Sequence, residues 1–174
     1  MKKAKKTALS AICASLCVVI LYICSFFEVL DISSAYAASI LVLFIVTELG
    51  IGYATGVYAS VTVLSLLILP QKLPALLFAL FFGIQPVTKR VFEHIGTKIG
   101  AVLSYVMKLA LFEVELVAFG YLARELLEIP ENKIIVAAYI VLANLIFILG
   151  DILYGKLVRI YRRYLRNRII KYLK

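Results

Sequence analysis

Charge-free apolar stretches alternate with short polar connections along most of this chain. Thr7 to Phe27 carries no charge and is long enough for one membrane-crossing helix, which takes roughly 17–25 apolar residues. Ser34 to Leu69 is too long for a single crossing. Glu48, Gly50 and Gly52 interrupt it, which predicts helices over Ser34–Leu49 and Gly52–Leu69. Pro70-Gln71-Lys72 reads as a tight turn, and Pro74 suits the first turn of a fourth helix that ends near Val87. That run is short enough to re-enter rather than cross. Thr88–Lys98 then reads as a polar loop, Ile99–Tyr121 as a fifth helix and Ile134–Leu153 as a sixth. Arg124–Lys133, with Pro130 and Asn132, connects these last two.

Composition adds the solvent. Of the 174 residues, 64% are hydrophobic, and the mean hydropathy is +1.02. Soluble domains stay closer to half apolar, so an integral membrane protein is expected. The basic start and Ala35-Tyr36-Ala37 imitate a signal peptide. The first apolar run exceeds a secretory core of roughly 7–15 residues, so it reads as a retained span.

Charge chooses the topology. The net charge is +9. Lys2, Lys3, Lys5 and Lys6 open the chain, and Lys89, Arg90 and Lys98 lie in the middle. Lys156, Arg159, Arg162, Arg163, Arg166, Arg168, Lys171 and Lys174 close it. Six spans put all of these on one side and leave Lys72, Arg124 and Lys133 on the other, beside Glu28, Asp31, Glu125, Glu128 and Glu131. Five spans would send the basic tail outside, against the positive-inside bias. The predicted fold class is therefore an all-α integral membrane protein of the cell (plasma) membrane, multi-pass. It has six transmembrane helices in one bundle over residues 1–155, and its N- and C-termini are cytoplasmic. Residues 156–174 form a basic amphipathic cytoplasmic tail suited to anionic membrane lipids or to a cytoplasmic partner. The placement of positive charge around apolar spans requires no nucleic-acid partner.

The fifth helix carries Lys108, Glu113 and Glu115. Ionisable groups at membrane depth face a protein interior or cavity and mark function by default. With equal rise per residue on antiparallel fifth and sixth helices, Glu113 comes level with Asn144. Lys108 comes within about a turn of Asp151 by the same count. Two readings stay open: a polar pocket lined by Glu113 or Glu115, Asn144 and Lys108, or a structural ion pair in which Asp151 or another carboxylate neutralises Lys108. Glu48 reads as interfacial at a helix end, and His94 as solvated in the basic loop. Gln85-Pro86 reads as a helix end.

No catalytic set, metal site or cofactor motif appears. Cys13, Cys17 and Cys24 share one helical stripe and read as small packing residues. There is no nucleotide-binding loop, so no ATP hydrolysis is expected. Asp31 and Asp151 fall on opposite sides, which disfavours a paired-aspartate protease. Small residues recur at Ala4, Ala8, Ala11 and Ala14, at Gly52 and Gly56, and at Gly96 and Gly100. Such seams let helices approach closely in lipid.

The N-terminal run Lys-Lys-Ala-Lys-Lys-Thr-Ala-Leu-Ser-Ala-Ile-Cys-Ala-Ser-Leu, at the head of a small six-span chain, resembles the first helix of substrate-binding S components of energy-coupling factor transporters. The resemblance implies capture of a vitamin or other micronutrient from outside. It also implies a transmembrane coupling subunit docking on Ala4, Ala8, Ala11 and Ala14, with separate ATPase subunits. Ala8, Ala11 and Ala14 run at threes, a departure from the family's four-residue spacing. The resemblance further implies a substrate site at Glu113, Glu115, Asn144 and Tyr121 under a lid formed by Phe27–Ser33. The competing expectation is a non-catalytic membrane scaffold of a bacterial envelope or cell-shape assembly. A membrane enzyme acting on lipid head groups ranks behind both.

Overall fold

The computed structural model describes residues 3–122 and 133–166, without the side chains of Glu28, Ile99, Lys133 and Leu165. Most of the expected Arg124–Lys133 connection lies outside these residues, with Pro130, Asn132, Glu125, Glu128 and Glu131. So do Lys2 and, in the tail, Arg168, Lys171 and Lys174.

The described residues are almost wholly helical and contain no strand. Helix α1 spans Lys3–Cys24, α2 Asp31–Leu49 and α3 Ile51–Ile68. Helix α4 spans Leu73–Leu77, α5 Gln85–Ile99, α6 Ala101–Leu122 and α7 Lys133–Ile160. Five stretches are long and apolar enough to cross a membrane: α1, α2, α3, the rod Leu73–Lys98 and Ile134–Tyr164. Helix α6 has 22 residues and carries the three ionisable groups Lys108, Glu113 and Glu115.

Helices α2 and α3 meet at Gly50, and α5 and α6 meet at Gly100. Each glycine stands at positive φ, 92° and 96°. A Cβ disfavours that conformation, so a one-residue reversal requires glycine. The expected interruption around Glu48, Gly50 and Gly52 thus narrows to one residue.

The Thr88–Lys98 segment corrects the expectation of a loop. It belongs to α5, which runs to Ile99. The fourth helix does not stop near Val87 because a π-helical turn over Phe78–Phe82 carries α4 into α5. The Gly83 amide donates to the Phe78 carbonyl at 2.7 Å to close that turn. Pro86 sits in the first turn of α5, where its missing N–H is tolerated. The polar end of α5 folds back on the start of α6, and the Ser104 hydroxyl donates to the Phe92 carbonyl at 2.6 Å. The expected lid over Phe27–Ser33 is likewise helical, a 3-10 turn at Glu28–Leu30 leading straight into α2. The expected sixth helix, ending at Leu153, is longer. Helix α7 passes through the anticipated tail boundary without a break and continues as a π-helical turn at Tyr161–Leu165.

Taking Leu73–Lys98 as one rod, consecutive spans run antiparallel. The Cys17 thiol donates to the Ala38 carbonyl between α1 and α2, and the Tyr58 hydroxyl donates to the Ala79 carbonyl at 2.6 Å. Helices α2 and α7 run parallel, linked by Ser39 to Tyr154 at 2.5 Å and by Arg166 to Glu48 at 3.2 Å. Gly50, Gly100, Lys3 and Arg166 therefore share one end of the bundle, the glycine end. Helix α2 is central, burying Ala35, Ala38, Val42, Ile45 and Val46 against α1, α3 and α5. Helix α7 lies at the margin, with most of its apolar side chains exposed.

Candidate functional site

Two polar contacts and one ring-walled cleft lie along the seam between α6 and α7. Toward the glycine end, Lys108 is 5% exposed and its ammonium donates to Asp151 Oδ1. Lys89 of α5 reaches the same oxygen at 2.9 Å, and the Asp151 main-chain carbonyl at 3.0 Å. Glu93 lies 3.6 Å from Lys89, one turn along α5. The Lys108 ammonium also lies 5.4 Å from the centre of the Phe147 ring. One carboxylate thus holds two lysines from two helices. Such an arrangement locks packing, since removing one partner of a buried pair strands the other.

Half-way to the opposite end, the Asn144 amide donates to Glu113 Oε1 at 2.8 Å and to the Ile140 carbonyl at 3.1 Å. Glu113 is otherwise exposed. Glu115 lies elsewhere on α6, half-buried and close enough to Tyr58 of α3 to interact electrostatically. Tyr121 is 80% exposed near the end of α6. The four expected substrate residues therefore do not converge: Glu113 and Asn144 touch, while Glu115 and Tyr121 stand apart from them. Of the expected docking alanines, Ala4, Ala8 and Ala11 are exposed and Ala14 is half-buried.

The concave feature of this half lies beside those residues. A cleft of about 160 Å³ opens between α2, the π-helical turn, α6 and α7. Its walls are Phe81, Phe82, Phe112, Phe119 and Phe147, with Gln85 as its polar group. Phe112 and Phe147 stack at 4.2 Å between centroids, and Phe81 leans on both Phe112 and Phe119. On α6 the cleft takes Phe112, Leu116 and Phe119, spaced as one helix face. Glu113 and Glu115 flank that face. A second compartment continues along α2 and α7, sharing Ile32, Phe82 and Ile146 and adding Tyr36. Gln85 is buried and makes a long hydrogen bond, 3.5 Å, to the Phe147 carbonyl. Tyr36 stacks on the fully buried Tyr154 at 5.0 Å, and its own hydroxyl has no hydrogen-bond partner. The cleft is thus a ring-lined space with one amide at its wall and one phenol hydroxyl nearby, which is the usual balance of a small-molecule site.

No carboxylate or nucleophile stands in the cleft, and among the described residues no three His, Cys, Asp or Glu side chains converge on a possible metal position. The rings lay hidden in the sequence because each sits in an apolar span. Against lipid, apolar residues mark neither face of a helix, so periodicity does not separate a cleft wall from a lipid-facing side. The π-helical turn beside Phe81 and Phe82 is the local irregularity, and such turns frequently accompany functional sites. No family model, curated protein or solved structure matches the chain.

Proposed function

We propose that this chain is a six-span protein of the cell membrane, with both ends in the cytoplasm. In this reading it captures a small solute at the ring-lined cleft and hands it to an ATP-driven transporter of the energy-coupling factor type. The observation that carries the reading is the cleft itself, in the half of the bundle away from the basic end. Its size favours a single-ring solute: a cavity of about 150 Å³ walled by apolar residues accepts benzene. Gln85 supplies one oriented hydrogen-bonding group. The solute class is accordingly a flat, mostly apolar molecule with a polar edge, rather than an anion or a sugar.

A second feature supports a membrane partner. Helices α1 and α3 pack side by side, and Lys6 lies over the Tyr53 ring at 5.9 Å. Ala4, Ala8 and Ala11 of α1 and Gly52, Gly56 and Ala59 of α3 are all exposed. Small residues permit close helix approach in lipid, which suits a coupling subunit.

The scaffold reading is favoured by a different observation, the pairing of Lys108 with Asp151 and of Glu113 with Asn144. Native mass spectrometry of the full chain, purified in detergent from cells, separates the two readings. Capture predicts a retained molecule of single-ring size that disappears in A143F, because Ala143 lines the cleft and a phenyl ring there fills it. Absence of any such molecule, even after incubation with cell extract, or retention unchanged in A143F, would reject the capture reading.

A further inference from the structure

A second cavity, of about 290 Å³, lies at the glycine end between α2, α5 and α7. Four cations line it, Lys89 and Arg90 from α5, Arg159 from α7 and Arg162 from the π-helical turn that continues it, against one carboxylate, Glu93. Lys89 is engaged by Asp151 and Glu93, and Arg90 reaches Glu93 at 3.8 Å. Among the described residues, Arg159 donates to the Gly155 carbonyl of its own helix, at 3.3 Å. Among the described residues, neither Arg159 nor Arg162 pairs with a carboxylate. The cavity therefore keeps a positive excess among the described residues.

Its surroundings are not those of a soluble-anion site. Leu43, Val46 and Val158 form part of the same wall. A neighbouring groove of about 170 Å³ shares Leu43, Thr47 and Val158 with the cavity and is otherwise lined by apolar and aromatic residues, among them Ile40, Phe44 and Tyr161. An apolar groove thus adjoins the basic cup at the same level of α2 and α7, across the shared residues Leu43, Thr47 and Val158. One molecule that matches both parts has a phosphate at one end and an acyl chain at the other. Guanidinium groups suit the phosphate because they form paired, charge-assisted hydrogen bonds to its oxygens. Basic pockets between spans at the cytoplasmic side are known as head-group sites.

We infer that the cavity between α2, α5 and α7 holds the phosphate of an anionic phospholipid, with one acyl chain in the adjoining groove. The assignment of this lipid to the inner leaflet rests on the proposed topology; the binding itself does not, and it is independent of the ring-lined cleft. Arg159 and Arg162 are the contacts that distinguish this site from general attraction to a charged surface.

The test uses the full chain in detergent, delipidated and titrated with phosphatidylglycerol or phosphatidylcholine, with bound lipid counted by native mass spectrometry. The wild type is expected to retain phosphatidylglycerol at least tenfold better than phosphatidylcholine. R159Q/R162Q should lose most of that preference. K156Q/R163Q, which removes the same charge from α7 outside the cavity, should keep it. E93Q should bind several-fold more tightly, and this keeps the test decisive if the double arginine variant fails to fold. Equal retention of both lipids, equal losses in the two double variants, or no gain in E93Q would each overturn the proposal. Displacement of the lipid by millimolar glycerol phosphate would also overturn it, assigning the cup to a soluble phosphate instead.

Discussion

Lys108 and Asp151 join α6 to α7 through a carboxylate oxygen that Lys89 of α5 also holds, at 2.9 Å. The three side chains are little exposed, 5% for Lys108, 15% for Asp151 and 13% for Lys89. The carboxylate is the shared member, so its loss leaves two ammonium groups facing each other with little water. D151N should therefore be strongly destabilised, by about 3–5 kcal/mol as for other broken buried pairs. K108M should cost much less, because Lys89 still neutralises Asp151. Thermal unfolding of the purified variants in one detergent checks the order. Equal losses would show that Lys89 does not share the load.

Ser39 and Tyr154 allow a similar comparison between two neutral groups. Their oxygens lie 2.5 Å apart, and the Ser39 hydroxyl also reaches the Tyr36 carbonyl at 2.5 Å. Tyr154 and Ser39 are both fully buried. S39A strands the phenol hydroxyl without a partner and should cost about 1–3 kcal/mol, the range for an unsatisfied buried group. Y154F removes the hydroxyl itself and leaves Ser39 its bond to Tyr36, so about 1 kcal/mol is expected. The melting temperature should fall further in S39A than in Y154F, and the reverse order would place the stabilising bond elsewhere.

Much of this architecture was legible in the sequence wherever polarity interrupted an apolar run. Glu48, Gly50 and Gly52 marked the α2–α3 reversal, which occurs at Gly50. Equal rise along two antiparallel helices levelled Glu113 with Asn144, and their side chains lie 2.8 Å apart. Lys89 escaped notice because Thr88–Lys98 is polar enough to read as a loop. A π-helical turn and a hairpin with α6 keep it helical, and both depend on tertiary contacts that no single segment displays. The ring-lined cleft escaped notice for a different reason. Phe81, Phe147 and the α6 pair Phe112 and Phe119 come from three separate spans, and in an apolar span a pocket wall and a lipid-facing side have the same composition. Glu113 and Glu115 drew attention as the rare polar residues, while the cleft opens on the apolar face between them.

The two reversals at Gly50 and Gly100 make a prediction free of packing effects. Their φ and ψ are 92° and 178°, and 96° and 146°. A Cβ at either position would meet no heavy atom within 4 Å, so only the backbone resists substitution. This part of conformational space belongs almost wholly to glycine, and a strained residue there costs about 1–3 kcal/mol. G50A and G100A should each lower the melting temperature. G52A supplies the control, since Gly52 is helical with equally open space around it, and alanine favours helix by roughly 1 kcal/mol over glycine. G52A should be neutral or stabilising, and a loss in G52A as large as in G100A would remove the conformational explanation.

Orientation follows from the distribution of charge between the two ends. Lys3, Lys5, Lys6, Lys98, Arg159, Arg162, Arg163 and Arg166 gather at the glycine end, whereas among the described residues only Lys72 and Lys133 lie near the other. Lys72 is held there by the Leu66 and Leu69 carbonyls, at 2.8 and 2.7 Å. Positive residues in short connections resist translocation, so the glycine end should stay in the cytoplasm. Cysteine labelling in intact cells reads this directly. Cys13 and Cys17 are buried, and Cys24, partly exposed, is replaced by serine to remove its background. Q71C lies in the α3–α4 connection and should react with a membrane-impermeant maleimide added outside. T97C lies on the exposed face of α5 just before Gly100 and should react only after the membrane is opened. Labelling of T97C from outside, with Q71C protected, would invert the bundle. The ring-lined cleft would then lie in the cytoplasmic half, where capture of an external solute has no physical route, and the basic cup would meet the outer leaflet.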